Sequence, residues 1–399
     1  MTAALDTADW ELFARQFWNK APVVMPGWPA DPGRPAGPPP VDARRAYDVV
    51  VTASEPFRAG TRFRALPDVR FLTDEGQIRA PGDLLPGPGD RGVDQYVKRL
   101  GAGGILLSAE QPLLLDFTLW SQVRDLISPL WDQVGYPVLP VIAELAIGKG
   151  SVDAGGMSRE ATHASLTWVL WGGMEIRSRS SDPMRAADAN PPGDTLRGRT
   201  GDLLYWPAHY RHAIDYGEGC LALRLRIPAD RRLPAAAVKD LLSDRLQAGR
   251  DGNDDVPYLA FPPEPGPDGA SPQMEPLAAI GDALTGEGPE LDRLLRIGWA
   301  RRVSAAGLEP VPGPREPGTF RHDQRVRSTA RIIRMTDEPG SSIWAVNGHA
   351  FTVRGPLADT LPGRLASPVP VGELAGEGSG VLALLRKLHE LRGIEVVED

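Results

Sequence analysis

The sequence predicts a mainly antiparallel β protein with supporting helices, built in several folding units. Three observations carry this. Short runs rich in Val, Ile, Leu and Trp, broken by glycines, crowd residues 138–227, as antiparallel strands require. Forty prolines and forty-four glycines impose frequent turns and exclude long coiled coils. The chain has 399 residues, which at roughly 150 residues per domain makes about two or three units.

Taken in order, residues 8–20 set Trp10, Phe13, Phe17 and Trp18 at helical spacing and stop before Pro22, so a helix packed on a core is expected there. Residues 26–40 hold too much Pro and Gly for a helix or central strand, and predict a loop or extended wrap. Residues 47–52 and 104–108 are short apolar segments, with a candidate helix at 93–100 between them. Residues 118–133 place Leu119, Val123, Leu126, Ile127 and Leu130 on one side of a further helix.

Strands are then expected at 138–147, 163–171, 174–179, 202–206 and 220–227. Residues 180–200 have almost no apolar content and read as an exposed insertion able to cover the mouth of the β-structure. Helical character returns at 235–246 and 276–306, on either side of a Gly, Asp and Pro linker at 248–275. Beyond it, residues 343–353 alternate like a strand and residues 382–392 carry apolar spacing of three and four.

A net charge of −8 opposes phosphate backbones, so DNA is not an expected partner. No apolar run approaches the roughly 20 residues of a membrane-spanning helix. The N-terminus lacks the basic start and apolar core of a secretory signal, which predicts a cytoplasmic protein. The single cysteine, Cys220, excludes a disulfide framework or Cys-rich zinc site and reads as a buried thiol.

Of six histidines, His163, His209 and His212 fall in the strand-rich region. The run Gly201-Asp202-Leu203-Leu204-Tyr205-Trp206-Pro207-Ala208-His209-Tyr210-Arg211-His212 reads as a strand, a Pro-bounded turn and a returning strand. Such a turn can aim His212 inward, toward a ligand from an earlier strand. This run resembles the second metal motif of JmjC and cupin-like oxygenases. Residues 162–173, preceded by a glycine-containing loop at 148–156, resemble the first metal strand of that family. Phe17-Trp18-Asn19-Lys20-Ala21-Pro22-Val23-Val24 is similar to its entry helix and first strand. The three matches span most of residues 10–230.

The resemblance implies a double-stranded β-helix barrel that hydroxylates a side chain of a protein or peptide with Fe(II) and 2-oxoglutarate. Two histidines and a carboxylate hold iron in that family, leaving positions open for cosubstrate and oxygen. It implies His163 and His212 as metal ligands, and Arg177 or Arg179 as the basic partner of the cosubstrate's distal carboxylate. Ser165 stands where the carboxylate belongs, and its neutral hydroxyl is a poor ligand for a hard cation. Two readings follow. Either the metal is kept, with water, an anion as in the similar non-haem iron halogenases, or Glu160 or Glu175 in the vacated position; or the metal is lost and the barrel is a catalytically inactive peptide-binding scaffold.

Blander roles compete. A histidine on a strand is often a hydrogen-bonded core residue. His209 occupies a place where glycine is common in the family, which suits a surface or pocket-lining role. Trp168, Trp171 and Trp206 read first as core, and the arginines of residues 321–334 as a solvated face.

From Trp344 onward the order of strand, helices and final strand resembles the winged-helix module of bacterial JmjC-type ribosomal oxygenases, in which a helical dimerisation segment precedes it. A similar small fold serves as the leader-peptide recognition element of peptide-modifying enzymes. The units implied are a barrel with N-terminal helix at 1–233, a helical dimerisation segment with linker at 234–324, and a winged helix at 325–399. The partners implied are a protein or peptide substrate and a second copy of the chain.

Overall fold

The computed structural model describes residues 9–27, 41–60, 66–101, 103–152, 162–180, 194–229, 288–337, 340–355, 357–376 and 380–397. The expected helix at 235–246, the linker at 248–275, most of the wrap at 26–40 and Glu160 lie outside them.

The first helix, α1 (Trp10–Gln16), starts where the Asp9 carboxylate accepts the Glu11 and Leu12 amides at 2.8 and 3.0 Å, a side-chain N-cap. The chain enters the sheet as β1 (Val23–Met25) and then forms α2 (Ala43–Arg58). The apolar segment at 47–52 lies wholly inside α2. Its Val49-Val50-Val51 triplet has strand-like composition, but Ala46, Tyr47, Val49, Val50 and Ala53 bury one helical face behind an Asp42 cap, and burial of a periodic face outweighs local β preference. Next come β2 (Asp68–Thr73), β3 (Gly76–Ile78), α3 (Val93–Arg99), β4 (Ile105–Glu110) and α4 (Phe117–Val134). Asp116 caps α4 by accepting the Leu119 amide at 2.8 Å, and Leu119, Trp120, Val123, Ile127, Leu130 and Trp131 form its buried stripe.

Six strands follow: β5 (Ile142–Lys149), β6 (His163–Ser180), β7 (Asp194–Arg199), β8 (Leu203–Trp206), β9 (Tyr210–Asp215) and β10 (Cys220–Pro228). The runs at 163–171 and 174–179 are one strand, bent at its middle. Gly172 sits there at φ +80°, and a Cβ on it would lie 2.0 Å from the Gly219 carbonyl oxygen, so only glycine permits the approach. Before the bend β6 pairs with β8 and β10; after it, with β7 and β9. The main sheet runs β1-β8-β6-β10-β5-β4-β2-β3. Of the expected insertion at 180–200, residues 181–193 lie outside the described residues; residues 194–199 form β7, whose Leu196 is buried, and one apolar residue in a polar stretch is too little signal for a strand.

Alternation assigns the two faces. Leu166, Trp168, Leu221, Leu223, Leu225, Leu145 and Ile147 pack under the helices in the large core. Val169, Leu204, Trp206 and Ala222 face inward, against Met174, Ile176, Leu196 and Tyr210 from beyond the bend.

The chain resumes with α5 (Gly288–Ser304), whose Ala300 packs with Ile343 and Ala345, and the segment just after it docks on the first unit. Trp131 Nε1 donates to the Ala306 carbonyl at 2.9 Å, Gln111 Nε2 donates to that of Glu309 at 2.8 Å, and Val141 bridges Leu308. The remainder is β11 (Arg325–Ser328), β12 (Ile333–Thr336), β13 (Ser341–Val346), β14 (His349–Arg354), α6 (Leu357–Arg364), β15 (Val369–Pro370), α7 (Val371–Ala375), α8 (Val381–Glu390) and β16 (Ile394–Val397). The single strand expected at 343–353 is a hairpin, turned by Asn347 and Gly348 at φ 51° and 77°, the Asn-Gly pair a two-residue turn favours. Trp344, Val346, Leu361, Leu365, Leu374, Leu385 and Leu388 form a separate core. Among the described residues no helix is long and apolar enough to cross a membrane.

Candidate functional site

The run from Gly201 to His212 builds the site's first wall. Asp202 holds the turn before β8, its carboxylate accepting the amides of Arg199 at 3.0 Å and Gly27 at 3.1 Å. The Pro207-Ala208-His209 turn closes when the Tyr210 amide donates to the Pro207 carbonyl at 3.2 Å. β9 then alternates, putting Tyr210 and His212 inward and Arg211 outward. His212 is 5% exposed, and its ring lies 5.0 Å from that of Trp206 at 52°.

Trp206 is directly across from Ser165 in the β8–β6 ladder, and Arg226 is across from Ser165 on the other side. Ser165 is buried. His163, two residues earlier on the same face, is half-buried, with Nδ1 2.8 Å from the Thr162 hydroxyl. The structure thus makes Ser165 and His212 both neighbours of Trp206, with His163 next along the strand. Trp206 was read as core; it belongs to the inner core, beside these positions. Trp168 packs in the outer core and Trp171 at its edge.

The inner face carries a polar row absent from the sequence reading. Asp68, Glu110, Glu144, Arg224 and Thr167 follow one another across adjacent strands in direct register. Glu144 accepts from the Ser108 hydroxyl at 2.7 Å and pairs with Arg224 at 3.6 Å. Arg226 pairs with Glu110 at 2.7 Å and Arg70 with Asp68 at 2.7 Å. Burial pushes the Glu144 carboxyl up, but the Arg224 charge and the Ser108 hydrogen bond outweigh it and hold the group below its ordinary value. Three arginines thus face three carboxylates. Arg224 also lies 5.6 Å over the Trp206 ring, and burial raises the Tyr216 phenol to about 12. The Thr167 hydroxyl is buried with no hydrogen-bond partner among the described residues. The signal for this row was charge inside apolar strands, as in Leu221-Ala222-Leu223-Arg224-Leu225-Arg226-Ile227, because a charged residue survives in a strand core only when paired.

Arg177 and Arg179 alternate with inward Ile176 and Ser178, which puts both on the outer face; the Arg177 side chain is 60% exposed. The inward arginines are instead Arg224 and Arg226. Glu175, one alternative carboxylate, faces outward too and accepts from Arg197 Nε at 2.8 Å. His209 is half-buried, its ring 5.1 Å from that of Tyr210. Among the described residues no three His, Cys, Asp or Glu side chains converge as a metal site. His163, His212 and Ser165, the residues to which the motif resemblance points, offer two imidazoles and a hydroxyl and no carboxylate.

The bent β6, the register of β5 through β10 and the appended C-terminal unit make up an overall fold similar to that of a bacterial ribosomal oxygenase of known structure. Among the solved structures it is similar to are those of YcfD from Escherichia coli. One YcfD structure superposes with a TM-score of 0.53 at 14% identity, over 98% of this chain and 99% of that one. Another, described as a ribosomal oxygenase, gives 0.52 at 15% identity over 100% of both chains. YcfD has also been solved with cobalt and 2-oxoglutarate, at a TM-score of 0.48, 16% identity and 98% coverage of both chains. No family model and no curated protein matches the sequence.

Proposed function

We propose that this chain is a JmjC-like oxygenase that modifies a side chain of a protein or peptide, with iron(II) and 2-oxoglutarate as cofactors and an atypical metal site. The observation that supports it is fold similarity to a ribosomal oxygenase over essentially the whole length of both chains. His163 and His212 are the metal ligands in this reading, and Ser165 replaces the carboxylate. When bound, the metal supplies oxygen activation. The chain's own contribution in this reading is a buried His212 whose ring lies 5.0 Å from that of Trp206, with the Arg224 guanidinium over the same indole. The unit at 1–233 is the catalytic barrel, 234–324 the dimerisation segment and 325–399 a protein-facing winged helix.

The test is metal content of the purified chain beside His212→Ala, followed by 2-oxoglutarate consumption. Bound iron that is lost in the variant is expected. Absence of any bound divalent metal would sink the proposal and leave a second reading, a peptide-binding scaffold without catalysis. Two observations favour that alternative: Trp206 packs directly against His212, and the inward arginines are already paired with carboxylates.

A further inference from the structure

A cleft of about 640 Å³ opens where the start of α4 meets β16 and the segment before β11. Most of its charges are matched. Arg45 pairs with Asp116 at 2.8 Å, Arg124 with Asp125 at 2.7 Å, and Glu395 with Arg327 at 2.7 Å. Arg315 and Arg392 line the same cleft, and among the described residues neither makes a salt bridge. Arg315 donates only to backbone, to the carbonyls of His389 at 2.7 Å and Ile394 at 3.0 Å. The Arg392 guanidinium lies 4.4 Å over the Phe117 ring.

Partial burial, and next the positive charge of Arg392, hold the Arg315 pKa below its ordinary value, and the Glu395 carboxylate offsets only part of this. Two guanidiniums that repel each other across a shared cleft are stabilised by one oxyanion between them, and the planar fork matches a carboxylate bidentately. Asp116, Asp125 and Glu395 line the same cleft and oppose a phosphodiester chain, which carries a negative charge at every step. A single carboxylate with apolar neighbours meets no such opposition, because Leu115, Phe117 and Ile394 offer those neighbours contact. Among the described residues β16 is an edge strand of its sheet, in the order β15-β11-β16, and Arg315 donates to its Ile394 carbonyl, so an extended segment bound in the cleft lies beside a strand edge.

We infer that this cleft docks a segment of the protein or peptide partner in which a carboxylate side chain, flanked by apolar residues, inserts between Arg315 and Arg392. The choice of a peptide ligand rests on the function proposed above; the cleft itself shares no residue with the inner polar row.

The experiment is fluorescence anisotropy on the full chain without added metal or 2-oxoglutarate. The probes are a fluorescein-labelled nonapeptide of three Ala-Leu-Glu repeats and its Gln counterpart. The Glu peptide is expected to bind, the Gln peptide at least about tenfold more weakly, and Arg392→Gln and Arg315→Gln each to weaken Glu-peptide binding by about tenfold. Arg321→Gln, whose side chain is 75% exposed outside the cleft, and His212→Ala are expected to bind like the parent. Thermal melts of each variant separate lost binding from lost folding. No binding of the Glu peptide, equal affinity for the two peptides, or affinity unchanged in Arg392→Gln would overturn the inference. So would displacement by a uridine dodecanucleotide at lower concentration than by unlabelled Glu peptide. Because binding is read without metal or 2-oxoglutarate, Arg-dependent binding by a chain that consumes no 2-oxoglutarate when separately supplied with iron(II) and that cosubstrate would count against the proposed activity and leave the docking site standing.

Discussion

Arg224 and Glu144 stand directly opposite each other on β10 and β5 and pair at 3.6 Å, with each side chain 10% exposed. Removing one partner strands a buried charge. Arg224→Met is therefore expected to cost about 3–5 kcal/mol, while the double variant Arg224→Met with Glu144→Leu recovers most of that loss. Urea denaturation of the two variants and the parent measures it; equal losses in both would refute the pairing as the cause.

The same pair sets an acid limit. The Glu144 pKa is lower in the folded chain than its ordinary value of 4.5, so its contribution is fully present above that value. It is lost as pH falls through the lower, folded value. Melting temperatures taken from pH 7 down to pH 3 are expected to fall more steeply in the parent than in Glu144→Gln.

The bend in β6 depends on one missing methyl. A Cβ on Gly172 would meet the Gly219 oxygen at 2.0 Å at φ +80°, whereas one on Gly201, at φ +94°, meets nothing within 4 Å. Gly201→Ala thus carries only the backbone strain, about 1 kcal/mol, and Gly172→Ala is expected to exceed it by at least about 1 kcal/mol. Chemical denaturation distinguishes them; similar losses would place the bend elsewhere.

Asn347 joins the two units. Its Nδ2 donates to the Leu391 and Arg392 carbonyls at 2.8 and 2.9 Å, and Arg124 of α4 donates to its Oδ1. Asn347→Ala loses these bonds and keeps a left-handed backbone at φ 51°, a combined cost of about 2 kcal/mol, of which Asn347→Gly recovers roughly half. Limited proteolysis is expected to release the C-terminal unit sooner in Asn347→Ala.

Cys220 is buried, and burial raises its thiol to about 12. The thiolate is the reactive form, so a disulfide reagent at pH 8 is expected to label the chain only after denaturant is added. Prompt labelling of the native protein would contradict this placement.

The strand-rich region, the helix at 118–133 and the inward course of His212 were legible because each is written in local periodicity or in a turn motif. The buried Cys220 followed from its apolar strand. The strand β7 and the placement of residues 47–52 in α2 were not legible, since a single buried leucine and a β-branched triplet gave weak or misleading local signals. The inner polar row was missed for a different reason: Glu144 and Arg224 are eighty residues apart in the chain, and only strand register makes them partners.

The sequence by itself determined which residues alternate, where the turns fall and that a serine, Ser165, stands two residues after His163 on the same strand face, because covalent order and side-chain period are local properties. Only the tertiary structure decided that Arg177 and Arg179 face outward, that Arg224 and Arg226 face inward, and that Trp206 lies opposite Ser165 and beside the His212 ring. Those outcomes turn on the bend at Gly172 and on register, and a strand's buried face is set by the neighbours it pairs with.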